Sequence, residues 1–312
     1  MSEYYNPEQP KGGTINLAIG PSCPVRCEGC YNYFGSGPIV DADAVLDFAV
    51  AAKQVGVTQA TLSGGDPLFH PEIVPIAKGL KDADLSVKMD TVGTALLPEP
   101  QESPGHRILY QGRGFTRGVA IEDIAAVDFV NLPLDGASQE MVGDFRKGRP
   151  GLYAETLAVA GLLRASKMPF GFNTVLHAKN IERLRCIQRV ARQQGAREWQ
   201  VFEYDPTGPN PTRRHAELQL TPGQFEEETQ KLPDMDGAME ITSKSLRQRS
   251  GAYFLVNRAG VAWSPSEAGP SEIGHITDDR DLVLAALVRH IEASREEGLG
   301  LGVAGTNLRA AG

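Results

Sequence analysis

Cys23-Pro24-Val25-Arg26-Cys27-Glu28-Gly29-Cys30 places three of the chain's four cysteines within eight residues. Three thiolates on one short loop can bind soft metals such as zinc or iron. The fourth cysteine, Cys186, is too remote in sequence to be assumed a ligand. A structural zinc takes four protein ligands, usually from paired knuckles, and no second knuckle or His-x-His partner follows. A three-cysteine set suits a [4Fe–4S] cluster better, because the fourth iron is left free to bind a small molecule. On these residues alone, zinc and a chance grouping of cysteines stay open.

Upstream, Thr14-Ile-Asn-Leu-Ala-Ile19 is apolar enough for a buried strand that delivers the chain straight into the cysteine loop. Sites on α/β barrels are built from loops beyond the C-terminal ends of strands, so the loop stands where such chemistry belongs. Downstream, Asp41 or Asp43 can cap a helix. Its Val45, Leu46, Phe48, Ala49, Ala52 and Val55 recur at helical spacing, and Gly56 is its stop. A second strand over 58–62 ends at Ser63-Gly64-Gly65-Asp66-Pro67, where missing side chains let backbone approach a ligand closely. Alone, that motif reads more simply as a glycine turn between strand and helix.

The two motifs together resemble those of the radical S-adenosylmethionine (SAM) superfamily. Cys-x3-Cys-x2-Cys is similar to its cluster loop, and Gly64-Gly65-Asp66-Pro67 is similar to its Gly-Gly-Glu-Pro motif with Asp replacing Glu. The resemblance implies a [4Fe–4S] cluster held by Cys23, Cys27 and Cys30, whose open iron chelates the amino and carboxylate groups of SAM. One electron from such a cluster cleaves SAM to methionine and a 5′-deoxyadenosyl radical, which abstracts a substrate hydrogen. It also implies that Gly64, Gly65, Asp66 and Pro67 receive the SAM amino group. Asp66, one methylene shorter than the usual Glu, is then in less direct contact.

A helix over 71–80 leads to a third strand over 85–91, whose Thr91-Val-Gly-Thr94 tip resembles the family's Thr-Asn-Gly-Thr turn. The Pro- and Gly-rich stretch 98–118 is longer than ordinary βα connections and reads as a lid or a disordered loop. His106, Arg107, Tyr110, Arg113 and Arg117 either touch substrate there or are merely solvated. A short helix over 121–127 precedes strand four, 128–134, which ends in Asp135-Gly136. That ending resembles the Ser-Ile-Asp-Gly tip of peptide-modifying and twitch-type members, which places Asp135 at the cofactor. Arg146 is the candidate for the SAM carboxylate, since a guanidinium can pair with it bidentately. A surface salt bridge is the plainer alternative.

After a helix over 152–166, strand five (170–176) carries Asn173, which by family analogy points towards SAM or else is a core amide. Cys186 falls in a helix over 180–194. A cysteine can quench a substrate radical, but a helical position behind the barrel wall favours an inert thiol. Strand six (199–204) offers Phe202, because this strand end lies against the adenine in relatives. Tyr31, beside Cys30, and Cys186 are the candidate catalytic side chains.

Six strand–helix units over 14–233 resemble a partial (β/α)6 TIM-type barrel of the α/β class. An arm over 1–13 precedes it, and a small α+β extension over 234–312 follows. In the extension, 239–242, 252–256, 261–263 and 273–276 read as strands, with a hairpin at Asn257-Arg-Ala-Gly260 and a closing helix over 281–294. This order resembles the extension that carries an auxiliary iron–sulfur cluster in twitch and SPASM relatives. There a cysteine follows the hairpin proline; here Ser266 follows Pro265, and no cysteine lies beyond Cys186. With no auxiliary cluster to take an electron from the substrate, a redox-neutral outcome is expected: epimerisation, elimination, rearrangement or C–C coupling.

A chain of 312 residues can bury a large core, and 41% hydrophobic with 22% charged residues is an ordinary soluble composition. The formal charge of −8 argues against nucleic acid or an anionic membrane as partner and fits a small or cationic substrate. The first twenty residues contain no apolar run, so a cytoplasmic location is expected, where reducing conditions suit thiolates. The alanine- and arginine-rich style resembles tailoring enzymes of bacterial natural products, which points to a carbohydrate, aminocyclitol or nucleoside substrate. Peptide maturation is the alternative, on the Asp135-Gly136 tip and the extension. A glycyl-radical activase stands third: Gly29 before the last cysteine and Tyr31-Asn32 after it are similar to such enzymes, which are generally shorter. The implied electron donor is a flavodoxin or ferredoxin. A metal-stabilised binding protein without radical chemistry is the non-enzymatic alternative.

Overall fold

Strands of a parallel sheet covered by helices read as nearly continuous apolar runs. Six such runs become β1 (Gly13–Gly20), β2 (Val57–Gly64), β3 (Ser86–Asp90), β4 (Phe129–Pro133), β5 (Phe170–Leu176) and β6 (Glu198–Glu203). They lie side by side and parallel, each next to its neighbour in this series, in a computed structural model of the chain. The structure describes residues 12–33, 38–97, 108–110, 113–115, 118–206, 215–249, 253–266 and 269–296.

The helices between these strands are α1 (Ala42–Gln54), α2 (Ile73–Asp82), α3 (Gln139–Phe145), α4 (Leu152–Ala165) and α5 (Leu184–Gln194). Asp41 is the cap of α1, accepting from the Ala44 N–H at 2.8 Å. Val45, Phe48, Ala49 and Ala52 of α1 and Ile73, Ile76, Ala77 and Leu80 of α2 are buried in the main core with the strands. Burying each large aliphatic or aromatic side chain there contributes about 1.5–3 kcal/mol. The helix expected over 121–127 is a single 3₁₀ stretch, Ile121–Ile124. Of the expected lid, Ile108–Tyr110 and Arg113–Phe115 pair as an antiparallel ribbon. His106, Arg107 and Arg117, and the side chains of Tyr110 and Arg113, lie outside the described residues.

The C-terminal part contributes to both edges of the sheet. After the short α6 (His215–Leu218) and α7 (Gln224–Thr229), β7 (Met239–Lys244) joins β6 in parallel. Then α8 (Leu246–Arg249) leads to β8 (Leu255–Asn257), which pairs in parallel with β1 at the opposite edge. β9 (Val261–Ser266) and β10 (Gly269–His275) continue that edge antiparallel, and α9 (Arg280–Glu296) closes the described chain. Eight parallel strands is the number in a closed (β/α)8 barrel. Here β7 and β8 do not pair, so the barrel is open along a seam between them. The Lys244 ammonium, 5.9 Å from the Tyr253 ring centroid, reaches across that seam. Among the described residues, no helix is long and apolar enough to cross a membrane.

Candidate functional site

The cysteine loop follows β1 and is held by backbone on two sides. Arg26–Cys27 pairs antiparallel with Arg146–Lys147, and the Glu28 N–H donates to the Phe145 carbonyl at 2.9 Å. On the other side, the N–H groups of Gly65 and Asp66 donate to the carbonyls of Gly20 and Ser22 at 3.0 and 2.7 Å. A Cβ on Gly64, which has φ of 119°, would lie 2.6 Å from the Gly20 nitrogen, and one on Gly65 would strike the Ser22 carbonyl. The paired glycines are therefore needed for the end of β2 to abut the cysteine loop. Gly29 turns with φ of 72° under the Tyr204 ring, whose hydroxyl would be 2.8 Å from an added Cβ.

Cys23, Cys27 and Cys30 are all half-buried, lack disulfide partners and line one cavity. Val25, Val92, Val142 and Leu152 pack against Cys23 and Cys27, and Phe145 and Tyr204 against Cys27. Burial pushes the Cys27 thiol up to about 12 against the pull of Arg146, and pushes Cys23 and Cys30 up as well. Metal ligation requires thiolates and releases their protons. Three electrostatically coupled thiols in an apolar shell fit a cationic iron–sulfur group, whose positive charge compensates the thiolates they are otherwise too buried to form. No three acidic, His or Cys side chains among the described residues converge tightly enough for a single ion. A polynuclear cluster spaces its ligands more widely than one ion does.

The two carboxylates expected at the cofactor both have partners within the protein. Asp66 is fully buried and accepts from the Thr91 hydroxyl at 2.6 Å and from the Leu68 and Val92 N–H groups at 3.1 Å each. Its carboxylate thus ties the tip of β3 to the end of β2 and does not line the cavity. Burial outweighs these donors and raises its pKa from 3.8 to about 6. Asp135, also fully buried, accepts from the Val175 N–H at 2.7 Å and pairs with Nε of Arg146. Arg146 in turn donates from Nη1 to the Cys27 sulfur at 3.1 Å. Its side chain is only 13% exposed, lines the cavity and bridges a carboxylate to a cysteine.

Asn173 and Phe202 do face the cavity, and the Asn173 Oδ1 is buried with no hydrogen-bond partner. Tyr31 lines the same space. Cys186 is half-buried on α5 and takes no part in the lining. The cavity holds about 870 Å³ and runs from the cysteines across the barrel interior to Pro265 and Pro270 on β9 and β10.

Apart from Asn173, the polar side chains inside the barrel escaped the sequence reading. Asn16, Thr61 and Lys88 are successive register partners on β1–β3, and Asn173 and Gln200 on β5 and β6. Lys88 pairs with Glu198 at 3.4 Å with both side chains under 7% exposed, and Asp90 accepts from Asn131 at 2.9 Å. The available signal was polar residues at alternate positions of otherwise apolar strands, as in Thr14 and Asn16, Gln59, Thr61 and Ser63, and Lys88 and Asp90.

The sequence profile of the Radical SAM superfamily matches residues 17–189, more than half of the chain. This protein belongs to the radical SAM superfamily. Members use a [4Fe–4S] cluster and SAM, and this radical SAM enzyme has the expected α/β fold with an unclosed barrel. An AdoMet-dependent heme synthase of Methanosarcina barkeri is 31% identical over 59% of this chain and 47% of its own length. A PqqA peptide cyclase of Ruegeria pomeroyi is 28% identical over 57% of this chain and 44% of its own. The chain therefore spans under half the length of these relatives. Among solved structures, anSMEcpe with bound AdoMet and Cp18Cys peptide aligns at a TM-score of 0.61, with 14% identity over 89% of this chain and 81% of that one. Streptococcus suis SuiB bound to precursor peptide SuiA aligns at 0.59, with 10% identity over 81% of this chain and 59% of that one. At such identities the likeness concerns the fold. PqqA peptide cyclases and AdoMet-dependent heme synthases both recur among the sequence relatives.

Proposed function

We propose that this radical SAM enzyme modifies a peptide, with the cluster and SAM at the cysteine end of the cavity and the substrate at the seam. When bound, the cluster and SAM supply a radical able to take hydrogen from an unactivated carbon. Cys23, Cys27 and Cys30 are the cluster ligands in this reading. Arg146, held in place by Asp135, donates to the Cys27 sulfur and offsets ligand charge, in place of its expected role at the SAM carboxylate. The backbone of Gly64 and Gly65 faces SAM, with Asp66 and Pro67 fixing that turn from behind. The orphaned Asn173 oxygen would accept a hydrogen bond from SAM, and Phe202 would help hold its adenine. Tyr31 borders the space between cofactor and substrate.

What carries the peptide reading is the run of the cavity out to the β9–β10 edge of the sheet, where an extended chain can enter, together with the similarity to PqqA peptide cyclases. With Ser266 at the position after the hairpin proline, a redox-neutral change such as epimerisation is the outcome proposed, with a flavodoxin or ferredoxin as electron source. The test incubates the anaerobically reconstituted enzyme with SAM and dithionite in deuterated water, adding either short peptides encoded beside its gene or a pool of sugars and nucleosides. Peptide-stimulated 5′-deoxyadenosine with deuterium in the peptide supports the reading. Stimulation by the sugar and nucleoside pool alone contradicts it.

A further inference from the structure

Resting on that reading of the cavity, we infer that the seam contains an anion-binding subsite, formed by Lys244, Arg247 and Arg249, that takes a carboxylate of the substrate. In a peptide this is an acidic side chain or the C-terminus. All three cations line the cavity, at the end of β7 and on α8, beyond the stretch that matches the superfamily profile. In a chain of net charge −8, three positive charges within six residues repel one another unless an anion joins them. Among the described residues, none of the three has a carboxylate within ion-pair distance.

Asp90, Glu203 and Asp205 line the same cavity without making an ion pair to any of the three. Glu203 accepts from the Leu246 N–H at 2.7 Å, and Asp90 from Asn131. Arg249 lies over the Phe202 ring, 5.9 Å from its centroid, and donates to the Glu203 carbonyl; its Nε is buried with no partner. A buried donor of this kind is satisfied when a ligand oxygen arrives, and a guanidinium suits the two oxygens of a carboxylate. Lys244 stands between the rings of Phe202 and Tyr253, at 5.8 and 5.9 Å, which fixes its ammonium at the seam. The subsite therefore presents two cations already held in position, Lys244 and Arg249, beside the aromatic ring assigned to the cofactor, with the exposed Arg247 next to them.

The test uses enzyme reconstituted with its cluster and saturated with SAM. A pool of acetylated hexapeptides, randomised at each position, is passed over the immobilised protein and the retained peptides are identified by mass spectrometry. Glutarate, a dicarboxylate that is not a peptide, is titrated separately by calorimetry. Enrichment of Asp and Glu, together with glutarate binding that weakens at least tenfold in Lys244→Gln and in Arg247→Gln, is expected. Glutarate binding with no hexapeptide retained, whether through an acidic side chain or through its free C-terminus, keeps the subsite and removes the peptide reading. No binding of glutarate, or binding unchanged in both variants, overturns the subsite. Uncoupled 5′-deoxyadenosine formation is followed on the same samples. Its loss in parallel with glutarate binding assigns the cations to SAM and overturns the proposal as well.

Discussion

The two ends of the cavity treat charge in opposite ways. At the cysteine end, Arg146 is paired with Asp135 and bonded to Cys27, and Asp66 is surrounded by three donors. At the seam, Lys244, Arg247 and Arg249 face the cavity with no described carboxylate against them. Charges that hold the frame are satisfied within the protein, where leaving one unpaired is expensive. Charges left open are available to a ligand.

The sharpest way to break this contrast is to remove one framing charge and one open charge and compare. Asp135→Ala strands the Arg146 guanidinium in the interior and is expected to cost about 3–5 kcal/mol in chemical denaturation of the apoprotein. Arg247→Ala, on an exposed position, should stay within about 0.5 kcal/mol of the parent. Equal losses would show that the two ends are not built differently.

The framing groups also predict a pH signature. Burial raises Asp66 from 3.8 to about 6, so its contribution is fully present below pH 3.8 and is lost as pH rises through about 6. His177, buried just after β5 with its ring 5.5 Å from that of Phe145, is lowered by burial from 6.5 to about 4, so its contribution is present above pH 6.5 and is lost as pH falls through about 4. Each shift corresponds to at most about 3 kcal/mol, and the two oppose each other over the same range. Asp66→Asn should therefore make stability rise with pH there, and His177→Gln should make it fall, as read from urea midpoints across a pH series. Identical slopes in the two variants would contradict this account.

A smaller effect is expected where a side chain faces the ligand. Asn173→Ala should leave thermal stability of the apoprotein unchanged and weaken SAM binding to the reconstituted enzyme about tenfold, or about 1.4 kcal/mol, the scale of one hydrogen bond. Unchanged affinity would place the orphaned oxygen elsewhere.

The elements legible in the sequence were those with a local cause. The cysteine spacing, the Gly64-Gly65 turn and six apolar runs ended by polar tips each carry their explanation within a few residues, and all six runs are strands in the expected order. The direction of a tip side chain was not legible, because it depends on what arrives from another strand. Asp66 turns to Thr91 and Val92, twenty-five residues away, and Asp135 turns to Arg146 and Val175. The seam was hidden for the same reason: β7 and β8 are consecutive in sequence, yet each finds its partner at an opposite edge of the sheet.

The central claim, that Cys23, Cys27 and Cys30 together hold a cluster that cleaves SAM, is tested most directly by quantifying 5′-deoxyadenosine after anaerobic reconstitution with iron and sulfide and addition of SAM and dithionite. The account predicts its formation by the parent protein, with iron–sulfur absorption, and loss of both in Cys27→Ala. Cluster-loaded parent protein that forms none, or a Cys27→Ala variant that forms as much as the parent, would contradict it.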